Sequence, residues 1–134
     1  MKLLLDTNIF LEVILNQEQA ASVRRVLERP DEHDFFITDY SLHSIGLLLF
    51  RRKLHSVFDS FINDIIITTG VVMITLPAET LSEVTQIAKR FDLDFDDAYQ
   101  YTAAERRGLT IISLDNDFDR TEKGKKTPMQ LLNP

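Results

Sequence analysis

The first apolar residues of the chain do not alternate with polar ones. Leu3, Leu4 and Leu5 run directly into Asp6. A short apolar run without alternation is the pattern of a strand buried on both faces, so KLLLD over 2–6 is expected to form one. The spacing turns helical from Asn8 to Leu15. A second helix over 18–29 would place Ala20, Val23 and Leu27 on one face, with Pro30 ending it and DEHD forming a charged loop. FFIT over 35–38 predicts the second strand. Thr38 or Asp39 then caps a helix that carries Leu42, Ile45, Leu49 and Phe50. A further helix over 56–68 uses Val57, Phe61, Ile62 and Ile65. VVMIT over 71–75 is β-branched and strand-like.

From Ala78 to Phe91 the apolar stripe is Leu81, Val84, Ile87 and Phe91. The segment 94–107 has an acidic start, a basic end and Gly108 as a C-terminal stop, the signature of one more helix. LTIIS over 109–113 predicts a buried strand, and the tail around Met129–Leu132 a last short one. Strands alternating with helices imply βαβ units, hence an α/β protein with a parallel sheet covered by helices on both faces.

A length of 134 residues fits a single domain spanning 1–134. Without cysteine, disulfides, thiolate zinc sites and cysteine nucleophiles are excluded. Asp6, Asn8 and Glu12 interrupt the N-terminal apolar stretch, which argues against a secretion signal. Runs such as IGLLLF at 45–50 are too short to span a bilayer. A soluble, cytoplasmic protein with no membrane partner is the expectation. The net charge of −6 argues mildly against a general phosphate-binding surface. It does not argue against a nuclease, whose metal-binding carboxylates themselves make a chain acidic.

In open parallel sheets the functional groups gather outside the carboxyl ends of the strands. Asp6 ends the first strand, and Asp115 and Asp117 follow the strand LTIIS. Asp96 and Asp97 open the helix that precedes that strand, and this helix start belongs on the same edge. Taken singly, each aspartate is equally well a turn residue or helix cap, which is an adequate account of Asp94 and Asp96. The joint placement of Asp6, Asp97 and Asp115 favours a shared site. Converging carboxylates repel and are costly to bury, and a bound cation relieves both effects. Oxygen-only ligands select hard ions, Mg²⁺ or Mn²⁺, and such ions suit phosphodiester hydrolysis.

Two motifs carry a resemblance to a known family. LLLDTNIFLE resembles the opening motif of PIN-domain nucleases. DFDDAYQYTAAERRGLTIISLDNDFDR resembles their second signature, with an aspartate and alanine opening a helix and a strand leading into Ser113, Leu114, Asp115, Asn116, Asp117 and Phe118. The likeness spans the whole chain. It implies a three-layer α/β/α sandwich with a central parallel sheet and a metal-dependent ribonuclease activity of the VapC toxin type. It also implies RNA as substrate, an antitoxin protein as possible partner and a homodimer. By resemblance Asp6, Asp97 and Asp115 are metal ligands, and Asp117 is a further ligand or an orienter of water. Thr7, Asn8 and Ser113 position the carboxylates.

One position departs from the family pattern. Ser44 stands where the family places a glutamate. A hydroxyl cannot replace that charge, although Asp39 or His43 lies close enough in sequence to compensate in part. His43 is by default a helix-surface residue, and nothing marks His33 or His55. Among the basic residues, Arg106 and Arg107 suit a helix C-terminus. Lys123, Lys125 and Lys126 closely follow the Asp115–Asp117 loop; a solvated loop is the default account, and a grip on an RNA backbone is the functional one. The apolar helices at 39–67 cover the sheet by default, with a dimer or antitoxin face as the alternative.

The competing function is a PIN fold without catalysis that holds RNA or a protein partner, and Ser44 is its main support. A phosphorylation receiver would need an acidic pair at the first strand, where this chain has one aspartate. A dinucleotide or P-loop site would need a glycine-rich loop, and the four glycines form none.

Overall fold

The leucines that open the chain lie at the centre of the sheet. In the computed structural model, which describes residues 1–134, β1 (Lys2–Leu5) pairs in parallel with β2 (Asp34–Thr38) on one side and β4 (Thr110–Ile112) on the other. Between β2 and β4 in sequence comes β3 (Val72–Ile74), which pairs in parallel with β2 at the edge. The spatial order is β3-β2-β1-β4. Leu3 lies opposite Phe35 on one neighbour and Thr110 on the other, which fixes the register of the centre.

Successive strand residues face opposite sides, and the core divides accordingly. Leu3, Leu5, Phe35, Ile37 and Ile112 belong to one buried cluster. Their covering helices are α1 (Thr7–Ile14), α2 (Ala20–Leu27), α3 (Asp39–Arg51) and α4 (His55–Ser60) with its continuation Phe61–Ile67. Leu4, Ile74 and Ile111 belong to the other cluster, beneath α5 (Leu81–Phe91) and α6 (Phe95–Arg107). This is the expected three-layer α/β/α sandwich. Both faces of β1 are inside, which explains an apolar run without alternation.

Three elements differ from expectation. The tail is not a strand: Pro128–Leu132 forms α7. Thr127 caps it and accepts from the Gln130 backbone, while the Gln130 side chain returns to the Thr127 N–H, and Pro128 occupies the first turn. The sheet gains only an isolated parallel bridge, Ile112 to Lys126, just before this cap. The helix expected over 56–68 begins at His55 and widens into a π-helical stretch over Phe61–Ile67. There the Asn63 side chain donates to the Asp59 carbonyl, and the Thr68 hydroxyl donates to the Asn63 carbonyl. Side chains thus take carbonyls that α-helical N–H groups would use. The helix expected over 18–29 is shorter, and it buries Val26 rather than Leu27 beside Ala20 and Val23.

The chain runs outward from β1 to β2 to β3, then returns through α5 and α6 to place β4 on the far side of β1. The order therefore reverses between β1 and β4. A crevice forms at such a switch point outside the carboxyl ends of the two strands.

Candidate active site

Asp6 extends β1 by one residue, its N–H donating to the Ile112 carbonyl at 3.0 Å. It is also the N-cap of α1, and its Oδ1 accepts from the Thr7 N–H at 2.9 Å. The cap that would account for Asp6 alone is therefore present. It is only part of the setting. Gln100 Nε2 donates to Oδ1 at 3.0 Å, the Ser113 hydroxyl to Oδ2 at 2.7 Å and Asn8 Nδ2 to Oδ2 at 3.4 Å. Burial of Asp6 still pushes its carboxyl above the ordinary range, against the lowering effect of these donors and with nearby Asp115 adding to the rise.

Ser113 and Asn8 join the ends of β1 and β4. Asn8 Nδ2 donates to Ser113 Oγ at 3.2 Å, and Asn8 Oδ1 accepts from the Leu114 N–H at 3.2 Å. Ser113 Oγ accepts from the Asp115 N–H at 2.9 Å. Asp115 then caps a 3₁₀ turn over Asn116–Arg120 by accepting from the Asp117 N–H at 2.8 Å. Thr7 turns the other way, its hydroxyl donating to Ser41 Oγ at 2.8 Å. Strand ends, caps and turns thus fix Asn8, Ser113 and Asp115, and the body of α6 supplies Gln100.

Asp97 stands in the first turn of α6 and is buried. Its carboxyl is pushed up to about 8, first by burial and then by the charges of Asp96, Asp115 and Asp6. Carboxylate oxygens of Asp97, Asp115 and Asp117 all lie within 4.8 Å of one another. A pocket of about 240 Å³ opens beside them, walled by Asp6, Asp96, Asp97, Asp115, Tyr40 and Ser44, with no basic side chain in its lining. The Arg120 guanidinium, which is not in the lining, holds Asp117 at 2.7 Å.

Four carboxylates around one pocket without a cation leave a large negative charge uncompensated. A carboxyl held protonated near neutral pH is the cost of that arrangement. An all-oxygen donor set at this spacing fits a hard divalent cation, Mg²⁺ or Mn²⁺. Asp97 and Asp115 would hold it, as the two residues common to the pocket and to the close trio. Asp6 shares the pocket with them, and Asp117 the close trio.

Asp6, Asp97 and Asp115 thus line this pocket, and Asp117 lies close to the last two. Ser44 lines it as well, whereas Asp39 and His43 do not. Asp39 is occupied elsewhere: it accepts from the Tyr99 hydroxyl at 2.7 Å and from the Tyr40 N–H at 2.9 Å. The lysines are dispersed. Lys123 lies 3.9 Å from Glu105, about 12 Å along α6 from Asp97 at 1.5 Å per residue. Lys125 is bound to Asp119 at 3.0 Å, and Lys126 forms the bridge to β4. Arg106 pairs with Glu83 at 2.7 Å, remote from the pocket.

Sequence reasoning missed Gln100, Ser41 and Tyr40, and gave Asp96 only a capping role. Gln100 is 1% exposed and fully partnered: it donates to Asp6 and to Ser41 and accepts from the Thr38 hydroxyl at 2.6 Å. The available signal was its place three residues after Asp97, on the same face of the helix. Asp96 is half-buried and lines the pocket, and the N-cap position belongs to Asp94.

The PIN domain family matches this chain over residues 3–124. No curated protein matches it in sequence. Several solved structures share the fold. The VapBC2 complex of Rickettsia felis, bound to a DNA fragment from its promoter, aligns with a TM-score of 0.74 at 15% identity, covering 95% of this chain and 97% of that one. VapC20 of Mycobacterium tuberculosis, a toxin that cleaves the sarcin-ricin loop, aligns with 0.71 at 18% identity over 87% and 92%. FitAcB of Neisseria gonorrhoeae aligns with 0.68 at 20% identity over 95% and 98%.

Proposed function

The chain belongs to the PIN-domain family, and from that membership we propose that it is a metal-dependent endoribonuclease that hydrolyses RNA phosphodiester bonds. The observation that carries this reading is the pocket where Asp6, Asp96, Asp97 and Asp115 meet with no basic side chain in the lining, and with Asp117 close to two of them. Bound Mg²⁺ or Mn²⁺ would activate a water and stabilise charge on the phosphate oxygens. Asp97 and Asp115 would hold the ion, Asp6 would set one wall, and Asp117 would be a further ligand or orient water. Thr7, Asn8, Ser113 and Gln100 fix the carboxylates so that little rearrangement accompanies binding. A single domain over 1–134 carries all of these groups.

The toxin role of a toxin–antitoxin pair follows as part of the same reading. Its support is the fold shared with the VapBC2 and FitAcB proteins. An antitoxin protein is then a partner, and a homodimer is the expected assembly. Leu47 and Phe50 of α3, 56% and 51% exposed, are apolar residues left over for such contacts. No helix is long and apolar enough to cross a membrane.

The test is cleavage of RNA by the purified protein with Mg²⁺ or Mn²⁺, and its loss in Asp6→Asn and in Asp97→Asn. Cleavage that persists unchanged in both variants sinks the site assignment. A second reading, a PIN-fold module that binds RNA or protein without cleaving, is favoured by Ser44, which puts a hydroxyl in the pocket wall where the family pattern has a carboxylate. Wild-type protein that binds RNA without cleaving it, and that Ser44→Glu leaves unchanged, supports this second reading; a gain in metal affinity and cleavage in Ser44→Glu marks a weakened nuclease site instead.

A further inference from the structure

The first two residues of α6 face different cavities. Asp96 lines the carboxylate pocket, whereas Phe95 lines a groove of about 410 Å³ between α5 and the start of α6. Val84, Ala88 and Leu93 give the groove an apolar floor, and Lys89 stands at its rim. Phe95 is 61% exposed, an unusual state for a phenylalanine. Its ring is nevertheless supported from behind. The centroid lies 5.9 Å from that of Tyr99 and 6.5 Å from that of Tyr40, the latter edge to face. Tyr99 is in turn fixed, donating to Asp39 at 2.7 Å and accepting from the Leu76 N–H at 3.0 Å.

A braced aromatic ring with a wet face, one residue from a pocket suited to a phosphodiester, has the features of a base-stacking platform. The neighbouring arginines are engaged. Arg90 pairs with Glu122, and Arg120 bridges Asp117 and Asp92. Exposed Lys89 is left to meet a phosphate.

The geometry points to a nucleobase subsite: the groove beside Phe95 takes one unpaired base of an RNA strand, next to the phosphate held in the carboxylate pocket, and Lys89 contacts the backbone beyond it. This inference rests on the endoribonuclease reading and narrows it to strands whose bases are unstacked at the cleavage point. A duplex keeps its bases stacked inward and cannot offer one to Phe95.

The chain contains no tryptophan, so Phe95→Trp supplies a single fluorescent reporter at the platform. In the Phe95→Trp, Asp97→Asn protein, a single-stranded oligoribonucleotide is expected to quench that fluorescence on binding, and the same sequence as a duplex is not. With Asp97→Asn alone as reference, adding Phe95→Ala is expected to weaken single-strand binding roughly 5- to 100-fold by anisotropy, the range of one lost base stack. Phe95→Tyr is expected to restore it, and Lys89→Ala to flatten the salt dependence. Tight strand binding without quenching, equal in the Phe95→Ala protein, overturns the subsite and leaves the nuclease reading standing. Absence of RNA binding in every variant, together with absence of cleavage by wild type, overturns both. Equal quenching by single strand and duplex overturns the preference for unpaired bases.

Discussion

Gln100 and Asp6 are 94 positions apart in the chain, yet the glutamine amide donates to the aspartate Oδ1 at 3.0 Å inside the protein. The same amide also reaches Ser41 at 2.8 Å, and its carbonyl accepts from Thr38. One side chain of α6 therefore ties together the ends of β1 and β2. Replacing Gln100 by Leu keeps the volume and removes one hydrogen bond from each of three buried polar groups. The expected cost is about 1–3 kcal/mol of folding stability. Urea denaturation reads this directly, and a midpoint equal to wild type would show that water or repacking replaces the amide.

Asp97 predicts how pH acts on the metal-free protein. Its carboxyl titrates near 8 in the fold and near the ordinary 3.8 when unfolded. The folded state therefore binds the proton more tightly, and its advantage is complete below the unfolded value. That advantage is lost as pH rises toward 8. Asp97→Asn removes the titration and keeps the shape. The gain in thermal midpoint of this variant over wild type, in chelator, is expected to grow between pH 5 and pH 8. A gain that is flat over this range would show that Asp97 is not the strained carboxyl.

Divalent cations should act in the opposite direction. Mn²⁺ or Mg²⁺ at a hundredfold excess over its dissociation constant is expected to stabilise wild type by about 2.7 kcal/mol through mass action. Asp115→Asn should abolish this shift. Ser113→Ala should weaken it, with metal affinity falling about 10- to 100-fold, because Ser113 orients both Asp6 and the Asp115 backbone. Thermal scans against metal concentration separate these cases, and a wild-type midpoint that never moves with either ion rules against the metal centre.

Ser44 and Asp96 face the same pocket from different helices. Ser44→Glu is expected to raise Mn²⁺ affinity, and Asp96→Asn to lower it, each by about tenfold or less for one carboxylate at the wall of a solvated pocket. Isothermal titration of Mn²⁺ into the metal-free variants measures both. If Asp96→Asn binds as tightly as wild type, Asp96 serves only the N-terminal end of α6.

The parts of the protein legible from its sequence were those set by local pattern. Leucines without alternation marked the central strand, and carboxylates after the first and last strands marked the sheet edge that carries the pocket. The Thr127-Pro128-x-Gln130 cap of α7 was equally local and was simply outweighed by the apolar residues that follow it. The π-helical stretch at Phe61–Ile67 was not readable, since it depends on Asn63 and Thr68 diverting carbonyls from the regular pattern. Nor were Ser41 and Tyr40, and for Gln100 the spacing from Asp97 gave the helix face but not the partners. Their roles depend on which faces of α3 and α6 meet, and that is a property of packing rather than of spacing. The scatter of Lys123, Lys125 and Lys126 has the same origin: neighbours along a loop find partners on different elements.

The charge of the pocket also bounds how sturdy the protein can be. Burial holds the carboxyls of Asp6 and Asp97 above their ordinary range, so groups suited to hold a cation weaken the fold when none is bound. A pocket of this kind trades stability for chemistry.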